Sequence, residues 1–193
     1  MNKITDPRPK EFLEALNALP ASVAAVKRLY ATGTDEDKSR LTLAFVAPKK
    51  LMFRRVTEDG RTLLQFDTDG KTSVEKRPQD RKTTRKKEFY LPSDTPRLAQ
   101  ILLGGPDLHD FGLGGEGESR TYFVERETWK GMAVVTLRYT GSDTIGRSQA
   151  GFLRLDVKTG VPRAVEFYQD TNSPMDHSGY DNLETWTTLQ VTR

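Results

Sequence analysis

The residues available for chemistry in this 193-residue chain are two histidines, no cysteine, and a scatter of serines and carboxylates. His109 and His177 lie far apart and share no HExxH or HxH spacing, so nothing sets them up as a pair of metal ligands. Without cysteine there is no thiol catalysis, disulfide, iron–sulfur cluster or cysteine zinc site, and the compartment stays open. Ser142, Ser148, Ser173 and Ser178 occupy no nucleophile elbow. Asp69, Asp110, Asp156 and Asp181 each stand beside turn residues, where a carboxylate ordinarily serves backbone N–H groups. Phe111 to Glu118 is glycine-rich, but a phosphate loop needs a lysine and a Ser or Thr after its glycines, and Glu116 and Glu118 repel phosphate. No pair of residues is singled out for acid–base work, and the expectation is a chain without enzymatic activity, metal or cofactor.

Charge gives the next constraint. Lys and Arg exceed Asp and Glu by only 3, so the pI near 9.1 is a weak argument for nucleic acid. The excess is local. Between Lys71 and Glu88 there are eight basic and three acidic residues, and Arg81, Lys82, Arg85, Lys86 and Lys87 carry no interleaved aromatic on which a base would stack. The segment reads as a solvated hairpin or an edge strand guarded by charge, with a membrane surface or a partner protein as the alternative contact and no nucleic acid expected. Residues 1–11 hold Pro7, Pro9, Lys10 and Glu11 rather than an apolar run, so no signal peptide is visible, and no stretch approaches the roughly 18 apolar residues of a membrane span.

The elements that would position any site are strands. Leu41, Leu43 and Phe45 alternate with Thr42 and Ala44; Leu51 and Phe53 with Met52 and Arg54; Leu64 and Phe66 with Leu63 and Gln65. This period of two predicts strands near 39–47, 51–57, 61–67 and 71–77, each with one apolar face. Asp59-Gly60 and Asp69-Gly70 mark the hairpin turns between them. Phe12, Ala15, Leu16 and Leu19 predict a helix over 9–19 that Pro20 ends. Leu98, Ile101 and Leu102 predict a second over 95–103, capped by Ser93 or Asp94. Residues 21–32 fit either a continued helix or a strand, with strand slightly favoured. The remainder reads as strands at 121–125, 132–140, 151–157, 162–169 and 180–191, with Trp186 and Leu189 as anchors. The expectation is a polar tail over 1–8 and a single domain over 9–193, mainly β in the α+β sense, with eight to ten antiparallel strands.

Several of these stretches together resemble the periplasmic lipoprotein carriers and outer-membrane lipoprotein-sorting proteins. They are Glu14 to Leu19 running into Ser22 to Tyr30, Ala47-Pro48-Lys49-Lys50-Leu51-Met52-Phe53, Leu64 to Thr72 with its Asp-Gly-Lys-Thr ending, the helix near 95–103, and Phe152 to Phe167 around Thr159-Gly160-Val161-Pro162. The resemblance implies a strand over 22–32 and a single curved antiparallel sheet forming an unclosed β-barrel, with short helices over its concave face. It implies that Leu43, Phe45, Leu51, Phe53, Leu64, Phe66, Leu98, Ile101, Leu102 and Trp186 line a cavity for the acyl chains of a lipoprotein or another amphiphile. Arg28 is then the nearest candidate for the arginine that closes the lid. A monomer of the periplasm or cell envelope follows if a signal peptide has been removed, with the cytoplasm also compatible. The alternative is an envelope domain that serves structure or protein interaction and holds no lipid.

Overall fold

A computed structural model describes residues 8–103, 119–142, 148–169 and 180–193. Among them the strands are β1 (Arg28–Asp35), β2 (Arg40–Val46), β3 (Lys50–Val56), β4 (Thr62–Thr68), β5 (Ser73–Arg77), β6 (Lys82–Lys86), β7 (Ser119–Trp129), β8 (Met132–Ser142), β9 (Ser148–Asp156), β10 (Pro162–Gln169) and β11 (Tyr180–Thr192). Two short helices accompany them, α1 (Lys10–Ala24) and α2 (Arg97–Leu102). The strands form one 11-stranded antiparallel sheet in the order β6-β5-β4-β3-β2-β1-β11-β10-β9-β8-β7, and its two ends do not meet to close a barrel. The mainly β class, the antiparallel meander and the open ends agree with the expectation. His109, His177 and the glycine-rich run 111–118 lie outside the described residues.

The chain divides into two compact units, one of Met1–Ala21 with Asp107–Asn182, the other of Ser22–Pro106 with Leu183–Arg193. In the first, the α1 residues Phe12, Leu16 and Leu19 are buried, as are Leu137, Tyr139, Leu153 and Val165. Phe12 meets Tyr122 edge-on with ring centroids 5.2 Å apart, a favoured aromatic geometry. Gly151 lies opposite Tyr139, and a Cβ there would stand 2.2 Å from the tyrosine ring, so the absent side chain is what admits the ring. Asp156 behaves as its place beside a turn predicts. Its Oδ1 accepts the N–H groups of Lys158 and Thr159 at 3.1 and 2.8 Å, while its Oδ2 takes the Arg163 guanidinium at 2.8 Å. Burial pushes this carboxyl up, but Arg163 and Thr159 together outweigh it and hold it below the usual value.

The second unit contains the meander β1–β6. Gly60 and Gly70 have φ of +90° and +87°, which a side chain would strain, so both turn signals operate as read. Asp69 Oδ1 accepts the N–H groups of Lys71 and Thr72 at 2.8 and 2.7 Å, closing the second turn. The helix-to-strand transition corrects two expectations. Pro20 lies inside α1 instead of ending it, and β1 begins at Arg28 rather than at residue 22. Proline fixes φ at a helical value and removes a single donor, and Ala21 to Ala24 are small enough to carry the helix on. The strand starts where the backbone gains partners on both sides. Lys27 donates its N–H to Thr192 at 2.8 Å and accepts that of Ala47 at 2.9 Å.

Candidate functional site

The apolar residues singled out by alternation sit together on one face of the second unit's sheet. Cross-strand pairing sets Leu43 beside Phe53 and Phe53 beside Phe66, with Phe45 and Leu51 paired one step along. Gly33 pairs with Leu41 on one side and Trp186 on the other, which brings Trp186 of β11 onto the same inner face. A β-bulge between Thr32 and Gly33 produces this close approach, and a Cβ on Gly33 would stand 2.0 Å from the Thr185 carbonyl oxygen. In α2, Leu98 and Leu102 are buried and Ile101 is half-buried. Leu43, Phe53, Phe66, Leu98 and Trp186 have 0% of their surface accessible, so no water-sized space touches them in this structure. The residues picked out by alternation thus share one buried, packed face in this structure.

What holds α2 was not read from the sequence. Neither Ser93 nor Asp94 caps it. Its N-cap position is Pro96, without a side-chain cap. Asp94 instead forms a two-pronged pair with Arg77, with nitrogen–oxygen distances of 3.0 and 2.7 Å. This pair, with Glu75 behind it, holds the guanidinium firmly charged. The N-terminal N–H groups of α2 go to Glu184 on β11. Its Oε1 accepts from Arg97 N–H, and its Oε2 accepts from Leu98 N–H at 3.3 Å and from Trp186 Nε1–H at 3.3 Å. Glu184 is buried, and burial pushes its carboxyl up to about 7 against the opposing pull of these three donors and of the Arg97 charge. The only hint in the sequence is a glutamate within a strand between an apolar residue and Trp186.

Arg28 does not share this face. It is exposed, on the opposite side of β1 from buried Leu29 and Ala31. That outer face carries a second feature, a groove of about 310 Å³ lined by Ala44, Val46, Lys50, Met52, Asp67 and Val74. Ala44, Met52, Asp67 and Val74 form one cross-strand row, and Val46 is 40% exposed. Apolar residues at the polar positions of the alternation were the available signal. Arg81, Lys82, Arg85, Lys86 and Lys87 lie exposed in and around β6, an outermost strand of the sheet, so the edge-strand reading of this segment holds. Lys86 places its ammonium 4.2 Å from the centroid of the Tyr90 ring. Burial and a hydrogen bond to Glu75 push the Tyr90 hydroxyl up to about 12.

The fold is an open antiparallel sheet with a short helix whose first N–H groups are held by a buried glutamate of β11. No family model matches the chain, and no curated protein matches it significantly. Solved structures do. The MucA/MucB complex of Pseudomonas aeruginosa matches with a TM-score of 0.54 at 16% identity, over 95% of this chain and 58% of that one. MucB alone matches with a TM-score of 0.52 at 16% identity, over 96% and 60%. This chain therefore spans about three-fifths of the MucB chains whose fold it shares. An outer-membrane lipoprotein-sorting protein domain from Vibrio parahaemolyticus aligns over 93% of this chain and 91% of its own, at 13% identity and a TM-score of 0.35. No helix among the described residues is long and apolar enough to cross a membrane.

Proposed function

We propose that this chain is a non-enzymatic binding module of the cell envelope that takes the acyl chain of a lipoprotein, or another amphiphile, onto the apolar surface beneath α2. The observation that carries this reading is how α2 is held. It has six residues and no cap from its own N-terminal residue, and it is tied down by one buried carboxylate from a distant strand. So short a helix is marginal in water and stays in place through what it buries. Burying Leu98 and Leu102 contributes roughly 3–6 kcal/mol in all, while each acyl CH₂ removed from water contributes about 0.8 kcal/mol. About four to eight methylenes then match the leucines of α2, and longer chains displace it. In this reading Glu184, rather than Arg28, holds the lid.

The test is uptake of dansyl-labelled fatty acids by the purified protein, followed by energy transfer from tryptophan. Probes of about four carbons should not bind, and probes of about sixteen should. Failure of the long probes, or affinity independent of chain length, would end the proposal. A protein partner is the second reading. The determination of MucB in complex with MucA favours it, and so does the exposed basic segment of this chain.

A further inference from the structure

β6 is the end of the sheet, paired with β5 and with no strand beyond it among the described residues. Alternate residues of a strand turn their N–H and C=O groups to opposite sides, so the outer side of β6 presents backbone donors and acceptors without a strand partner. From Arg81 to Lys87 the sequence is Arg-Lys-Thr-Thr-Arg-Lys-Lys, five cations and no acid, flanked by Asp80 and Glu88. Among the described residues Arg81, Lys82, Arg85 and Lys87 form no ion pair, whereas Arg77 on neighbouring β5 is fully engaged with Glu75 and Asp94. Register places Lys82, Thr84 and Lys86 opposite Arg77, Glu75 and Ser73, and Arg85 opposite Val74. The cations of β6 thus point to both faces of the sheet, and an added strand meets positive charge whichever face its side chains take.

We propose that β6 is a docking edge for an extended acidic segment of a partner protein, which adds to the sheet as a further strand. Strand addition draws affinity from main-chain hydrogen bonds and selectivity from the side chains of the edge. The charge that keeps a second copy of this chain off the edge is the charge that attracts an acidic one. A nucleic acid is disfavoured because Tyr90, the aromatic ring in contact with these cations among the described residues, is covered by Lys86 and bonded to Glu75, and a lipid surface because no large apolar side chain within residues 81–87 is exposed. This site is separate from the surface beneath α2, and neither proposal depends on the other.

A fluorescein-labelled peptide of alternating glutamate and threonine, followed by anisotropy, tests it. The peptide should bind, and Lys82→Gln, Arg85→Gln and Lys87→Gln together should weaken binding by about tenfold while leaving melting unchanged. N-methylation of alternate peptide residues, made in both phases, keeps the charge and removes the hydrogen bonds along one edge, so one of the two forms should lose binding. The proposal is overturned if both N-methylated forms bind as well as the parent, which would mean charge alone. Equal binding of phosphatidylglycerol vesicles, lost in the same triple variant, would assign the patch to membranes instead. No peptide binding at low salt would leave the edge as a guard against self-association.

Discussion

Glu184→Gln isolates the energetics of the buried latch. In the folded chain burial pushes the Glu184 carboxyl up to about 7, against an ordinary value of 4.5. A raised carboxyl means that between these values the folded protein holds a proton the unfolded chain has released. Unfolding free energy therefore falls as pH rises through this window and levels off above it. Two and a half pH units correspond to about 3 kcal/mol, an order-of-magnitude figure for a group this buried. The amide variant has no such proton. It costs about 1–2 kcal/mol at every pH, because its NH₂ confronts the N–H of Leu98 or of the Trp186 indole. Urea unfolding of parent and variant from about pH 4 to about pH 8 should show the parent losing about 3 kcal/mol relative to the variant. If lifting α2 exposes Glu184, the same window should accelerate hydrogen exchange at Leu98 and Ala99 in the parent alone. A difference that is flat, or that rises with pH, would refute the reasoning, because the donors and Arg97 would then outweigh burial.

Three further substitutions probe what surrounds the latch. Gly33→Ala drives a Cβ into the Thr185 carbonyl and should lower stability by about 2 kcal/mol or more, read from urea midpoints. Phe53→Ala removes a side chain with no accessible surface and should cost about 3–5 kcal/mol by the same measurement. Arg163→Ala strips Asp156 of its guanidinium. The Asp156 carboxyl is held low in the folded chain, so its contribution is present above its ordinary value near 3.8 and lost as pH falls below it. The variant should be less stable at neutral pH by roughly 2 kcal/mol and should show a shallower loss on acidification.

Strand content and the apolar face were legible because each rests on local pattern. Alternation at Leu43, Phe45, Leu51, Phe53, Leu64 and Phe66 fixes which side of each strand is buried, whatever the partner strand is. The turns at Gly60 and Gly70 were legible for the same reason, since a positive φ is a property of one residue. The end of α1 was not. Pro20 carries a strong local signal for termination, but losing one hydrogen bond is affordable in a helix that already buries Phe12, Leu16 and Leu19. The cap of α2 was misread because Ser93 and Asp94 are the right residue types at nearly the right place. The decisive contact spans 87 residues, from Arg97 to Glu184, and no local pattern encodes it.

That long-range contact gives α2 a discrete position. Apolar burial is non-directional, so leucines alone would let a six-residue helix seat in several registers on a smooth aromatic floor. Two carboxylate oxygens that accept consecutive backbone N–H groups, with one also engaged by the Trp186 indole, allow one register only. A neutral acceptor would give the same register without the cost of burying a charge near neutral pH. With the carboxylate in place, the docking of α2 should be strongest when Glu184 is protonated and weaken as it ionises, while the apolar contribution of Leu98 and Leu102 stays constant. On the function proposed above, the seating of α2 would depend on two independent quantities, proton activity at one residue and the length of the apolar chain that competes for the floor. Each can be varied without the other, and a lid held by leucines alone would respond only to the second.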